Sequence, residues 1–158
     1  MSGPIRAALA DLLKIQRFTA LILDGRKWLL PQAEIRLLGS LLDIDQEVRA
    51  PGSIGAFALE DEWWPVYCLS GELQLLPQLA ATRRVCPLLG NGADRFGLVC
   101  DRVESLLEPP RLAALPACMG PPGSPIQALA PFGDGLGCVT TTEHLAALIA
   151  AVAENTDA

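Results

Sequence analysis

Apolar residues along this chain fall in short runs punctuated by turn-forming residues, a pattern of consecutive β-hairpins rather than of long helices. Runs 18–23 and 26–31 flank Asp24-Gly25, a pair that readily takes the positive φ angles of a tight hairpin turn. Runs 54–59 and 63–69 flank the acidic triplet Glu60-Asp61-Glu62. Pro65, in the second of these arms, cannot donate to a strand ladder and predicts a sheet edge or a bulge there. Run 85–89 precedes Asn91-Gly92, and a further strand starts at Arg95. In that strand Phe96, Leu98 and Cys100 share one face, Gly97, Val99 and Asp101 the other, and the glycine marks a place where a neighbour approaches closely. The charged pair Asp101-Arg102 ends it before Val103, Leu106 and Leu107. Runs 126–132 and 136–139, around Gly133-Asp134-Gly135, make the fourth hairpin.

Helical spacing is found at the margins of this pattern. In 4–16, Ile5, Leu9, Leu12 and Leu13 form one stripe with Arg6, Asp11 and Lys14 outside it, as expected of a helix packed on the body or docked on a partner. Residues 32–42 read as a short helix bearing Glu34 and Arg36, with Ile35, Leu38 and Leu42 inward; Gly39 weakens it. Thr140-Thr141-Thr142-Glu143 has the pattern of a capping box, opening a helix with Leu145, Leu148, Ile149 and Val152 on one stripe. Between elements, 43–50 is polar and ends at the Pro51-Gly52 turn, and 70–84 is a long connection. Residues 108–125 hold six prolines and two glycines, which excludes regular structure over most of the segment. Leu112, Leu115, Cys118 and Met119 nevertheless predict that it lies along the body. Four hairpins at fairly regular spacing, with helices at the edges, indicate a mainly β protein built from small barrels.

Composition narrows the function. At 158 residues the chain is one domain, or two small lobes sharing a core, and with 51% hydrophobic and 19% charged residues it is not a disordered chain. A net charge of −6 without a basic run disfavours nucleic acid and anionic membranes as partners. No apolar run approaches the roughly 18 residues of a membrane span, and the N-terminus lacks a signal peptide's basic start and apolar core. Cys68, Cys86, Cys100, Cys118 and Cys138 are irregularly spaced, odd in number and mostly set in apolar runs. They fit reduced core residues, and with them a cytoplasmic protein.

Candidate chemistry is sparse. His144, the single histidine, falls in the first turn of the last helix as an exposed residue, and one histidine among scattered cysteines gives no zinc-ligand spacing. Neither a phosphate loop nor a dinucleotide fingerprint occurs. Glu60, Asp61 and Glu62 could do acid–base work, but adjacent acids at a hairpin tip are usually solvated, and Asp101 beside Arg102 reads as a surface pair. No catalytic, cofactor or metal site is therefore expected. Trp63 and Trp64 point to opposite faces of a strand, so one can enter the core while the other meets a partner.

The order of these elements resembles the CheW-like domain, the adaptor module of bacterial chemosensory arrays. Phe96-Gly97-Leu98-Val99-Cys100-Asp101-Arg102-Val103 is similar to the family's Gly-Leu-Val-Val-Asp-x-Val strand, with Phe96, Gly97, Val99, Asp101 and Val103 as the fold signature. Pro51-x-x-Ile54-Gly55 and Pro65-Val66-Tyr67-Cys68-Leu69 resemble its Pro-x-x-Ile-x-Gly and Pro-Val-x-Asp-Leu segments. The resemblance covers about residues 18–152. It implies two small five-stranded SH3-like β-barrels sharing a core, with short N-terminal, central and C-terminal helices: an extension over 1–17 and one two-lobed domain over 18–158. It further implies a non-enzymatic adaptor without cofactor, binding proteins through barrel edges and an intervening groove. The implied partners are a histidine kinase regulatory domain and a chemoreceptor or receptor-like protein, with self-association possible and neither nucleic acid binding nor membrane insertion. The implied partner-binding residues are Gly55, Leu59, Glu60, Asp61, Glu62, Trp63, Trp64 and Pro65.

The chain departs from the family where the Asn-Leu-Arg-Gly signature falls on Ala58-Leu59-Glu60-Asp61, reversing the charge at Glu60. Cys68 replaces an aspartate, and the usual aspartate-bearing strand near the end reads Cys138-Val139-Thr140-Thr141. A charge reversal at a recognition position works against the old partner, so a divergent adaptor, for instance with a pilus-linked input, is expected. Two alternatives remain: a small enzyme or ligand-binding barrel using Cys100 or the tip from Glu60 to Glu62, and a degenerate structural module of a larger assembly.

Overall fold

A computed structural model of the chain describes residues 17–106, 108, 110–114, 124–132 and 135–156. The expected helix over 4–16 lies outside them, as do Leu115, Cys118, Met119 and the centre of the last hairpin turn. The elements run β1 (Phe18–Leu23), β2 (Arg26–Pro31), β3 (Ile35–Ser40), β4 (Ile44–Asp45), β5 (Gly55–Leu59), β6 (Glu62–Leu69), β7 (Leu75–Leu76), β8 (Val85–Asn91), β9 (Asp94–Leu98), β10 (Arg102–Ser105), β11 (Ala128–Phe132), β12 (Gly135–Val139) and α1 (Thr142–Thr156). They form two curled sheets. The first has the order β10-β1-β2-β12-β11. The second runs β3-β8-β9-β6-β5-β4, five main strands with the two-residue strands β4 and β7 added. The second sheet is therefore inserted whole, in sequence, between β2 and β10 of the first.

Period-two alternation places each strand between different cores. Phe18, Ala20, Ile22 and Leu29 fill the first barrel with Ala128, Ala130 and Val139. Phe57, Trp64, Val66, Cys68, Cys86, Leu88 and Val99 fill the second. A third core lies between the barrels, where Leu21, Leu23, Trp28 and Leu30 meet Leu89, Phe96, Leu98, Cys100 and, from α1, Leu145 and Ile149. The alternation expected of β9 is thus observed. Phe96, Leu98 and Cys100 face the shared core, and Val99 faces the second barrel. At Gly97 a Cβ would stand 2.9 Å from Cys86 Sγ and 3.1 Å from Val66 Cγ2, which is the close approach its glycine permits.

Several local expectations are corrected. Residues 32–42 are not a helix: a 3-10 turn at Gln32–Glu34 leads into β3, and a second at Leu41–Asp43 follows it. Pairing of β3 with β8 overrides the local periodicity, and Gly39 is buried over the Phe57 ring. As a result Leu38 is 55% and Leu42 94% exposed rather than inward. Strand β10, which the sequence reading leaves unassigned, pairs with β1 at the end of the first sheet and carries Val103 opposite Leu21. Pro65 lies in an interior strand, but β9 joins β6 only from Val66 onward, so at Pro65 the strand has β5 alone as a partner. Helix α1 is capped one residue later than the box predicts. Thr141 Oγ1 accepts from His144 N at 3.2 Å, and the His144 ring, half-buried, lies 2.6 Å from the same hydroxyl. Glu34 accepts from the Thr142 backbone N–H at 2.7 Å, tying the helix start to the turn after β2.

Candidate functional site

The β5–β6 hairpin closes in two residues, Glu60 (φ 52°) and Asp61 (φ 62°), with Leu59 opposite Glu62. Both turn residues take the left-handed conformation of a type I′ turn, which matches the strand twist but is usually given to Asn-Gly or Asp-Gly. Beyond the turn the two tryptophans part as expected. Trp63 is 54% exposed, whereas Trp64 is 6% exposed and enters the second barrel. The Trp64 Nε1 group is buried with no hydrogen-bond partner.

At this mouth of the barrel lies a cavity of about 440 Å³, lined by Leu59, Glu60 and Trp64 from the hairpin and by Arg36, Leu37 and Arg95 from β3 and β9, among others. The Arg95 guanidinium sits 5.9 Å from the Trp64 ring centroid and donates to Glu62 Oε2 at 2.6 Å. A cation over an indole face is attracted by the ring quadrupole, so Arg95 is held by both neighbours. Arg36 has no charged or hydrogen-bonding partner among the described residues. A second hollow, of about 270 Å³, runs between the barrels, lined by Thr19, Ile35, Leu37, Leu38, Val103 and Ser105 among others. It is bordered by β10 and β3, the end strands of their two sheets. End strands leave backbone donors and acceptors free, and here the exposed side chains of Leu37 and Leu38 stand beside them.

At the other end of the shared core, Arg83 is 1% exposed. It donates to Asp24 Oδ1 at 2.8 Å, to Asp101 Oδ1 at 2.7 Å and to the Leu69 carbonyl at 2.6 Å. Asp101 Oδ2 also accepts from Asp24 N, and Asp24 Oδ2 from Gly71 N. Burial works against the charge on Arg83, but the hydrogen bonds it donates to Asp24 and Asp101 outweigh this and hold the guanidinium firmly charged. The cluster joins the β1–β2 turn to three segments of the second sheet's connections. Nearby, Trp28 Nε1 donates to Gly71 O at 3.1 Å, a further polar tie between the barrels. Cys68, Cys86, Cys100 and Cys138 are free thiols. Burial pushes the Cys86 thiol up to about 12 and the Cys100 thiol well above its usual range, so neither is suited to nucleophilic chemistry.

The predicted partner-binding residues separate into groups. Leu59, Glu60 and Trp64 share the cavity, Asp61 completes the exposed turn, and Glu62 joins through Arg95. Trp63 lies on the outer face. Pro65 borders a different crevice, with Tyr67 and the α1 residues Ala146 and Ile149. Gly55 is buried against β4, where a Cβ would meet Asp45 O at 2.7 Å, and is no surface residue. Of the signature residues, Phe96, Gly97 and Val99 are buried, while Asp101 is an ion-pair partner of Arg83 rather than of Arg102. The sequence reading missed Arg83, Arg36, Arg95 and the exposed pair Leu37-Leu38. Nothing local separates Arg83 from Arg84, whose guanidinium is exposed and bonds to the Ala81 carbonyl. The only available signal is that Asp24 and Asp101 both end strands that pack together.

Among the described residues no group of histidine, cysteine and acidic side chains could hold a metal ion, and no helix is long and apolar enough to cross a membrane. No protein-family model matches the chain, and no curated protein matches it in sequence. Its fold is similar to the crystal structure of the scaffolding protein TtCheW from Thermoanaerobacter tengcongensis, with a TM-score of 0.63 and 12% sequence identity, over 79% of this chain and 88% of that one. The chain has a CheW-like fold: mainly β, two SH3-like barrels sharing a core, and a C-terminal helix.

Proposed function

We propose that this chain is a non-enzymatic adaptor of a chemosensory complex, linking the regulatory domain of a CheA-type histidine kinase to a receptor or to an alternative input such as a pilus-linked one. The observation that carries the reading is a CheW-like fold in which the exposed Leu37 and Leu38 and the charged Arg36 and Glu60 border two adjoining hollows. The groove between β10 and β3, with Leu37 and Leu38, suits an extended or helical segment of a partner. The mouth formed by Leu59, Glu60, Asp61, Glu62 and Trp64, with Trp63 outside it, suits a second contact. Its reversed charge at Glu60 argues for a partner different from a standard chemoreceptor. The alternative of a thiol enzyme draws no support from Cys100, which is fully buried.

Co-purification of the tagged chain with each cognate kinase and receptor is the test. Capture of a kinase regulatory domain, and a changed set of captured proteins for Glu60→Arg with unchanged circular dichroism, is the expected result. Failure with every cognate kinase would sink the coupling role, and an unchanged set for Glu60→Arg would remove the tip from the interface.

A further inference from the structure

We propose that the β3 rim of the second barrel is a self-complementary surface on which a second copy of this chain docks about a two-fold axis. Arg36, from β3, and Glu60, from the β5–β6 turn, are exposed side chains lining one cavity of about 440 Å³. Neither has an ion-pair or hydrogen-bond partner among the described residues. A partner that presents two unlike charges in the reverse order satisfies Arg36 and Glu60 together. A two-fold rotation of the same rim does this: Arg36 of each copy meets Glu60 of the other. A partner carrying one sign of charge would leave either Arg36 or Glu60 uncompensated.

Shape and apolar surface point the same way. Leu37 and Leu38 are 41% and 55% exposed and form a ridge between the cavity at the barrel mouth and the hollow between the barrels, and both hollows include Arg36 and Leu37. A ridge beside a hollow fits its own image under the same rotation. β3 is moreover an end strand of its sheet. The placement of Arg36 is built in by Gly90 of β8: a Cβ there would come within 3.1 Å of Arg36 Cγ and Nε. With a net charge of −6 two copies repel one another at long range, so their association has to come from local complementarity of this kind.

The surface overlaps the contacts assigned above to adaptor partners, but its test needs no kinase or receptor, so either reading can fail without the other. Sedimentation velocity on the full chain over a concentration series should reveal a monomer–dimer equilibrium. Arg36→Glu and Glu60→Arg should each weaken it about tenfold or more, since each change converts two symmetric attractions into repulsions. An equimolar mixture of these two variants should recover the dimer, because one chain then offers two glutamates and the other two arginines. The double exchange Arg36→Glu with Glu60→Arg should recover it as well. Circular dichroism guards against misfolding, and both side chains are exposed. A chain that stays monomeric throughout, a dimer indifferent to both reversals, or a mixture that stays monomeric would each overturn the proposal; the last would assign Arg36 and Glu60 to a different protein.

Discussion

Two of the places where an arginine meets carboxylate invite comparison, the Arg83 cluster between the barrels and the Arg95 pair at the mouth of the second. Their ion-pair distances are nearly the same: 2.7 and 2.8 Å from Arg83 to its two aspartates, and 2.6 Å from Arg95 to Glu62. Their surroundings differ. Arg83 is buried and its carboxylates also bond to backbone N–H groups, whereas the side chains of Arg95 and Glu62 are each more than half exposed. A short distance therefore does not measure what a pair contributes. A guanidinium out of water depends on its acceptors, because losing them leaves an uncompensated buried charge. One in water exchanges one set of hydrogen bonds for another at little net gain. The first cluster is thus structural, and the second leaves its charges free to be claimed by a partner.

Breaking each cluster sharpens this contrast. Arg83→Met, which strands Asp24, Asp101 and the Leu69 carbonyl, should lower the unfolding free energy by about 3–5 kcal/mol, read by denaturant titration. Acid should act on the same cluster. The hydrogen bond from Arg83, first, and that from Gly71 hold the Asp24 carboxyl below its ordinary value of 3.8. The folded state thus binds that proton more weakly than the unfolded one, and the associated stability is present above that value and lost as pH falls through and below it. Asp24→Asn should flatten this acid limb in unfolding curves measured across the pH range. At the exposed cluster, a double-mutant cycle on Arg95→Ala and Glu62→Ala should return a coupling of only about 0.2–1 kcal/mol, smaller still in high salt. Asp61→Gly should raise stability by about 0.5 kcal/mol, relief of left-handed strain being partly offset by a freer unfolded chain. A loss of stability on that change would mean that the turn is held by contacts of Asp61 itself.

What could be read from the sequence follows from range. Turns such as Asp24-Gly25 and Asn91-Gly92 are chosen by local φ preferences, and strand alternation by the nearest neighbours, so the hairpins, the packed faces of β9 and the opposed tryptophans were all legible. Residues 32–42 were not, because Ile35, Leu38 and Leu42 are spaced as on a helix although they lie in a strand and the turn after it; pairing with β8, far along the chain, decides the matter. The same holds for Arg83. Its acceptors lie 59 and 18 residues away, and only the packing of two hairpins brings them together. At the candidate site the tip residues were visible as an acidic triplet, but the arginines that face them come from β3 and β9, and no local pattern announces such a meeting.

The nesting of one barrel inside the other sets an order of assembly. β1 and β2 are synthesised first, yet their sheet is completed by β10, β11 and β12, which emerge only after the whole second barrel. The second barrel can close on itself from one continuous stretch, and in doing so it fixes β3 and β9 in one sheet with only β8 between them. That replaces a long flexible loop between β1 and β10 with a folded body, removing most of the closure entropy that pairing them would otherwise cost. Until then the apolar β1–β2 hairpin waits without its partners, and it is the segment of the nascent chain that most needs protection.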